Sequence, residues 1–173
     1  MRRQTNGTGK NISVMLSCGA RVSLLGVTND SNDAALLAWE TRQPAAITGD
    51  PLWRLNCYRE ALFLLEQVRE DVKELGLPGS HNDAKEQLLR SVGSIAANIA
   101  EGYGRPSTAD RLRFFSFALG SAREAIAWYQ TLRPAAEHAG VDDRIERLAR
   151  IRRMLLGLLT RLRTKGARKF DSW

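Results

Sequence analysis

Four stretches of this chain carry an apolar residue at every third or fourth position, the repeat of one helical face, and each is fenced by turn formers. The first opens at Asp50, a good N-cap, with Pro51 in the first helical position. Leu52, Leu55, Tyr58, Ala61 (or Leu62), Leu65 and Val68 follow, and Gly76 and Pro78 stop it. Ser80 with Asp83 opens a second helix by the logic of a capping box. Its stripe is Leu88, Val92, Ile95 and Ile99, and Gly102, Gly104 and Pro106 end it. Ser107 with Asp110 opens a third, with Leu112, Phe115, Ala118 (or Leu119), Ala122, Ala125, Tyr129 and Leu132 facing inward. Pro134 kinks it or ends it early, and Gly140 closes it. Asp142 or Asp143 caps a fourth, with Ile145, Leu148, Ile151, Leu155, Leu158 (or Leu159) and Leu162. Residues 51–165 hold no period-two alternation. The expectation is an all-α protein, an antiparallel up-down-up-down four-helix bundle over residues 50–165.

The flanks read differently. Residues 1–49 are dense in Gly, Ser, Thr and Asn, their short apolar runs are broken by Gly19 and Arg21, and only Ala34–Thr41 suggests a short helix. We expect a poorly ordered extension there and a basic tail at 166–173. The extension lacks the unbroken apolar core of a secretory signal, and no stretch reaches the 18 apolar residues of a membrane span. A cytoplasmic protein with no membrane association is expected. Gly9-Lys10 fails as a phosphate loop, because Gln4 stands where that motif needs Gly and Asn11 where it needs Ser or Thr.

Charge narrows the function classes. The net charge is +7. Residues 1–139 are nearly balanced, whereas 140–173 hold 10 Lys and Arg against 4 Asp and Glu. The fourth helix carries Arg144, Arg147, Arg150, Arg152, Arg153, Arg161, Arg163 and Lys165, with Arg147, Arg150 (or Arg152) and Arg161 read as facing away from the apolar stripe. Arginine suits bidentate phosphate contacts. Three readings stay open: contact with RNA or DNA, an acidic protein partner, or a solvated face that keeps the helix soluble. No zinc finger, ribonucleoprotein aromatic motif or helix-turn-helix is evident.

The second helix has a polar stripe beside its apolar one: Gln87, Ser91, Ser94, Asn98 and Glu101. Gly93, Ala96, Ala97 and Ala100 surround it, and Gly120, Ser121 and Ala122 match it on the third helix. Two small-residue faces argue for tight helix packing, within a subunit or between subunits. Phe114 and Phe117 lie off the Phe115 face, which favours an oligomer. Glu101 as a general acid or base would need a second positioned group, and none stands at helical spacing to it. A structural role is the better reading: Glu101 pairs with Arg90, Arg105 or Arg111, and Asn98 bonds helix ends across an interface. Two cysteines and two histidines, with no Glu-x-x-His pair, exclude a di-iron bundle and a four-cysteine zinc site. No catalytic residue, metal or cofactor is expected.

The stretch Gln87–Arg105, with its Asn-Ile-Ala-Glu-Gly core followed by an aromatic, Gly and Arg, resembles a known family. So does Phe114–Glu124 with Ala-Leu-Gly-Ser. The chain is similar to the four-helix-bundle proteins encoded in intervening sequences of bacterial 23S ribosomal RNA genes. The accessory proteins of diversity-generating retroelements, called Avd, are similar as well. The resemblance spans about residues 52–165. It implies a ring-like homopentamer and, by the Avd likeness, a basic surface that binds nucleic acid and a reverse transcriptase. It supplies no catalytic residue. The family often has a basic pair before the Ser of the second helix, whereas this chain has Leu89-Arg90. Ser94, Asn98, Glu101, Gly102, Arg105, Gly120 and Ser121 are the candidate interface motif.

Overall fold

The computed structural model describes residues 32–74, 82–133 and 140–165. Contacts divide the chain into a unit Met1–Ala35 and a unit Leu36–Trp173. Of the first, only 32–35 are described, and they are helical. The helix over 32–40 is α1. It is followed by α2 (Ala45–Thr48), a 3-10 turn (Pro51–Arg54), α3 (Asn56–Glu74), α4 (Asn82–Gly104), α5 (Thr108–Leu132) and α6 (Val141–Lys165).

The long helices are those the apolar periods define. Each packs on its neighbour in sequence, and α6 closes on α3. Contacts fix their antiparallel sense. Arg144, early in α6, meets Asp71 near the end of α3. Gly102, near the end of α4, lies against Phe115 near the start of α5. The core gathers Ala61, Leu64, Val68, Leu88, Val92, Ile95, Ile99, Phe115, Ala118, Ala122, Ala125, Leu132, Leu148, Ile151 and Leu155, none with measurable exposure. Burying each large aliphatic or aromatic side chain contributes about 1.5–3 kcal/mol, so these stripes drive the fold.

Helix boundaries follow the caps with two adjustments. Ser107 Oγ accepts from Asp110 N at 3.0 Å, the expected N-cap of α5. Asp50 Oδ1 accepts from Leu52 N at 2.7 Å, but the element it caps is the 3-10 turn. Leu55 is extended (φ −79°, ψ 108°), so the long helix starts at Asn56. Gly140, at φ +59°, leads directly into α6, which begins at Val141 with Asp142 and Asp143 inside its first turn. The left-handed backbone suits glycine there. Gly76, Pro78, Ser80, Pro134 and the 166–173 tail lie outside the described residues.

Within the segment read as a poorly ordered extension, residues 32–49 are described, and a helix over 32–40 stands where Ala34–Thr41 suggested one. Trp39 is 3% exposed, and α1 ends in a closed turn: Thr41 Oγ1 donates to Ala38 O at 2.8 Å and Gln43 Nε2 to Trp39 O at 3.2 Å. The physical reason is Trp39 itself, whose burial outweighs the low propensity of its surroundings.

Candidate nucleic-acid interface

The arginines of α6 do not form one outward stripe. Arg144, Arg147 and Arg150 recur at three-residue steps, and α3 sets Glu60 and Asp71 about three turns apart on its facing flank. Arg144 forks onto Asp71, with Nε and Nη2 each 3.0 Å from a carboxylate oxygen. Tyr129 OH donates to the same carboxylate at 2.8 Å. Burial raises the Tyr129 hydroxyl pKa, and the Asp71 charge adds to it, so the phenol stays a donor.

Arg147 is paired with Glu60, and its guanidinium lies over the Phe63 ring at 4.6 Å. Arg150 also engages Glu60: Nη2 donates to Oε2 at 3.3 Å, and Nε stands 3.0 Å from Oε1 as an ion pair. Arg147 is 1% exposed, which corrects its reading as an outward phosphate contact. Burial lowers its pKa, opposed by Glu60's charge and hydrogen bond. A guanidinium removed from water needs such a partner.

The exposed basic residues lie further along the helix. Arg153 is exposed and within 3.2 Å of Glu146. Arg161 and Arg163 are exposed on the last turns, and Lys165 is the final residue of α6. The antiparallel order brings that end of α6 to the end of the bundle where α4 passes into α5. There Arg105 pairs with Glu101 and lies 4.9 Å from the Phe114 ring centre. Arg113 approaches the same ring at 5.2 Å. Arg111 Nε donates to Arg105 O at 2.6 Å.

The candidate interface motif is partly assembled within one chain. Asn98 Nδ2 donates to Ser94 O at 2.8 Å and to Ser94 Oγ at 2.9 Å. Ser121 Oγ on α5 donates to Ser94 Oγ at 3.0 Å. The polar stripe thus links α4 to α5. A Cβ at Gly102 would sit 3.0 Å from Phe115 Cε1, so the close helix approach is there. Gly120 has open space and demands no close approach within the chain. Phe117, 52% exposed, stands edge-on to Phe114 at 6.0 Å. Among the described residues, no group of three or more His, Cys, Asp or Glu could hold a metal ion, and no helix is long and apolar enough to cross a membrane.

Sequence reasoning missed Glu60, Asp71, Phe63 and Trp39. Part of the signal for the first two was present, since Glu60 and Asp71 stand about three turns apart on one flank of α3, but nothing in their spacing names the arginines that meet them.

A family model described as 23S rRNA-intervening sequence protein matches residues 54–157. The chain is also similar to a protein of unknown function from the S23 ribosomal protein family of Bacteroides thetaiotaomicron, known from a crystal structure at 1.70 Å. The two share 23% identity with a TM-score of 0.55, over 60% of this chain and 97% of that one. At that identity the likeness is one of fold. No curated protein matches.

Proposed function

Because this chain belongs to the 23S rRNA-intervening sequence protein family, we propose that it is a non-enzymatic cytoplasmic bundle that associates with copies of itself and contacts nucleic acid. The observation that carries this reading is how the arginines are sorted. Glu60 and Asp71 engage Arg144, Arg147 and Arg150, so the outward positive charge of α6 concentrates at Arg153, Arg161 and Arg163, ahead of the helix-terminal Lys165. Arg105, Arg111 and Arg113 share the end of the bundle with Arg161, Arg163 and Lys165. A surface of this kind binds through phosphates, without base readout.

Self-association uses the outer face of α4 and α5. Exposed Phe117 and the open backbone at Gly120 support it, and the resemblance implies five subunits. A ring would repeat the basic end around its axis.

A labelled structured RNA, titrated across a salt series, tests the proposal. Affinity is expected to fall with a log–log slope of several, about 0.9 for each phosphate engaged on a duplex. Reversing Arg161, Arg163 and Lys165 to Glu together is expected to abolish binding with mass and helicity unchanged. Absence of binding at low salt overturns the nucleic-acid reading.

A second reading, a scaffold that docks a protein such as a reverse transcriptase without touching nucleic acid, is favoured by the same pairing of three arginines within the fold. It predicts an assembly of unchanged size and no RNA binding at any salt concentration.

A further inference from the structure

Residues 36–53 lie ahead of the family-matched span, yet they are fastened to α3 by specific contacts. The Trp39 ring stacks on Trp53 at 5.9 Å, with 26° between planes, and tilts against Phe63 at 5.5 Å. Its Nε1 donates to Glu66 Oε2 at 2.6 Å. The next residue, Glu40, accepts from Arg59 Nε at 2.6 Å. Arg59 is itself held in place, since Nη1 donates to Trp53 O and Nη2 to Asn56 Oδ1, both at 2.8 Å.

Arg59, Phe63 and Glu66 stand at i, i+4 and i+7, one face of α3. That face is not the one turned to the core. Trp39 and Phe63 are buried, 3% and 6% exposed, but both stand outside the core cluster that unites the four long helices. The segment therefore makes a small apolar centre of its own on the flank of α3, where Arg147 of α6 lies over the same Phe63 ring at 4.6 Å. Little else holds it: α2 buries no residue, and residues 41–50 are mostly exposed. A lone aromatic anchor ringed by satisfied polar contacts is the anatomy of a binding interface rather than of a domain core.

The bundle side supplies every recognition element from the 3-10 turn and α3. Trp53 and Phe63 form a slot for an indole, Glu66 accepts its N–H, and Arg59 takes the carboxylate of the following acidic residue.

We propose that this face of α3 is a docking site for a helical segment bearing Trp-Glu, separable from the bundle, and that the chain's own residues 36–49 occupy it. The site excludes other molecules while the segment is bound and is open to competition by any segment of the same chemistry. This inference is independent of the nucleic-acid reading.

The test uses the full chain with a specific protease site inserted between Gly49 and Asp50, both exposed. After cleavage, the two pieces are expected to elute together, and an added peptide of residues 32–49 is expected to displace the N-terminal piece. Trp39→Ala in the same cut chain is expected to weaken the association roughly 100-fold or more, as large aromatic truncations at buried sites do. Glu40→Lys, which sets like charge against Arg59, is expected to weaken it without removing the aromatic anchor. Separation of the unsubstituted pieces from a still-helical bundle would overturn the proposal. So would loss of the bundle's helical signal when the Trp39→Ala piece leaves, because the segment would then be part of the core.

Discussion

The residues that say most about this protein are charged ones inside it. Glu60, Asp71 and Arg147 are each 5% exposed or less, and each is tolerable only because its partner is fixed across the α3–α6 seam. Arg147→Ala leaves Glu60 buried with one guanidinium fewer, and breaking a buried pair this way costs about 3–5 kcal/mol. Urea unfolding measures it, and a loss under 1 kcal/mol would refute the role given to the pair. Cys57 makes a second case at this scale. Burial in the core pushes its thiol up to about 11 from an ordinary 9.0. The folded state thus favours the protonated thiol. That contribution is complete below pH 9 and is lost as pH rises towards 11, by about 2–3 kcal/mol at 1.36 kcal/mol per pKa unit. Tyr129, raised in the same direction, adds to the alkaline loss. Cys57→Ala is expected to shrink the drop in urea midpoint between pH 8 and pH 11, and an unchanged drop would exclude Cys57 as a source.

At the scale of elements, the pairing of α4 with α5 turns on two glycines with opposite demands. Gly102 lies against Phe115 and Phe114, where an added Cβ would stand 3.0–3.1 Å from ring and side-chain carbons. Gly102→Ala is therefore expected to destabilise by about 1–3 kcal/mol through overpacking. Gly120 meets nothing within 4 Å of an added Cβ. Gly120→Ala is expected to be neutral or to stabilise the helix by about 0.5–1 kcal/mol through its lower backbone entropy. Thermal unfolding of both variants checks the contrast, and the reverse order would mean that α4 and α5 pack differently. The sequence marks both positions as small and cannot rank them, because the distance to a neighbouring helix is not a property of either segment alone.

For the whole molecule, the proposed self-association has to use a face that the fold leaves open. The Phe63 flank of α3 is covered by Trp39, and the seam between α3 and α6 is closed by ion pairs, whereas the outer side of α4 and α5 presents Phe117 and the Ser94–Asn98–Ser121 cluster. Phe117→Arg is expected to reduce the particle mass in light scattering while leaving the far-ultraviolet helical signal unchanged. An unchanged mass would count against self-association through this face. Because Phe117 lies beside Arg113 and Phe114, RNA affinity of the same variant separates the two surfaces. Lost assembly with retained weak binding assigns Phe117 to the subunit contact.

Local periodicity and capping chemistry were enough to define four helices and their inward faces. Leu88, Val92, Ile95 and Ile99 are read correctly as one buried stripe because a helix repeats every 3.6 residues wherever it lies. The Ser107 cap is legible for the same reason, since its partner is three residues away. Tertiary structure alone decided the rest. Arg147 has a polar neighbourhood in sequence and a buried carboxylate partner 87 positions earlier, so its burial follows from where α3 sets Glu60. Trp39 sits in a segment of weak local signal, and its order comes from a slot built by Trp53 and Phe63. In both cases the deciding energy, removal of a charge or an indole from water, depends on which helices stand side by side, and that is set only when the chain has closed into a bundle.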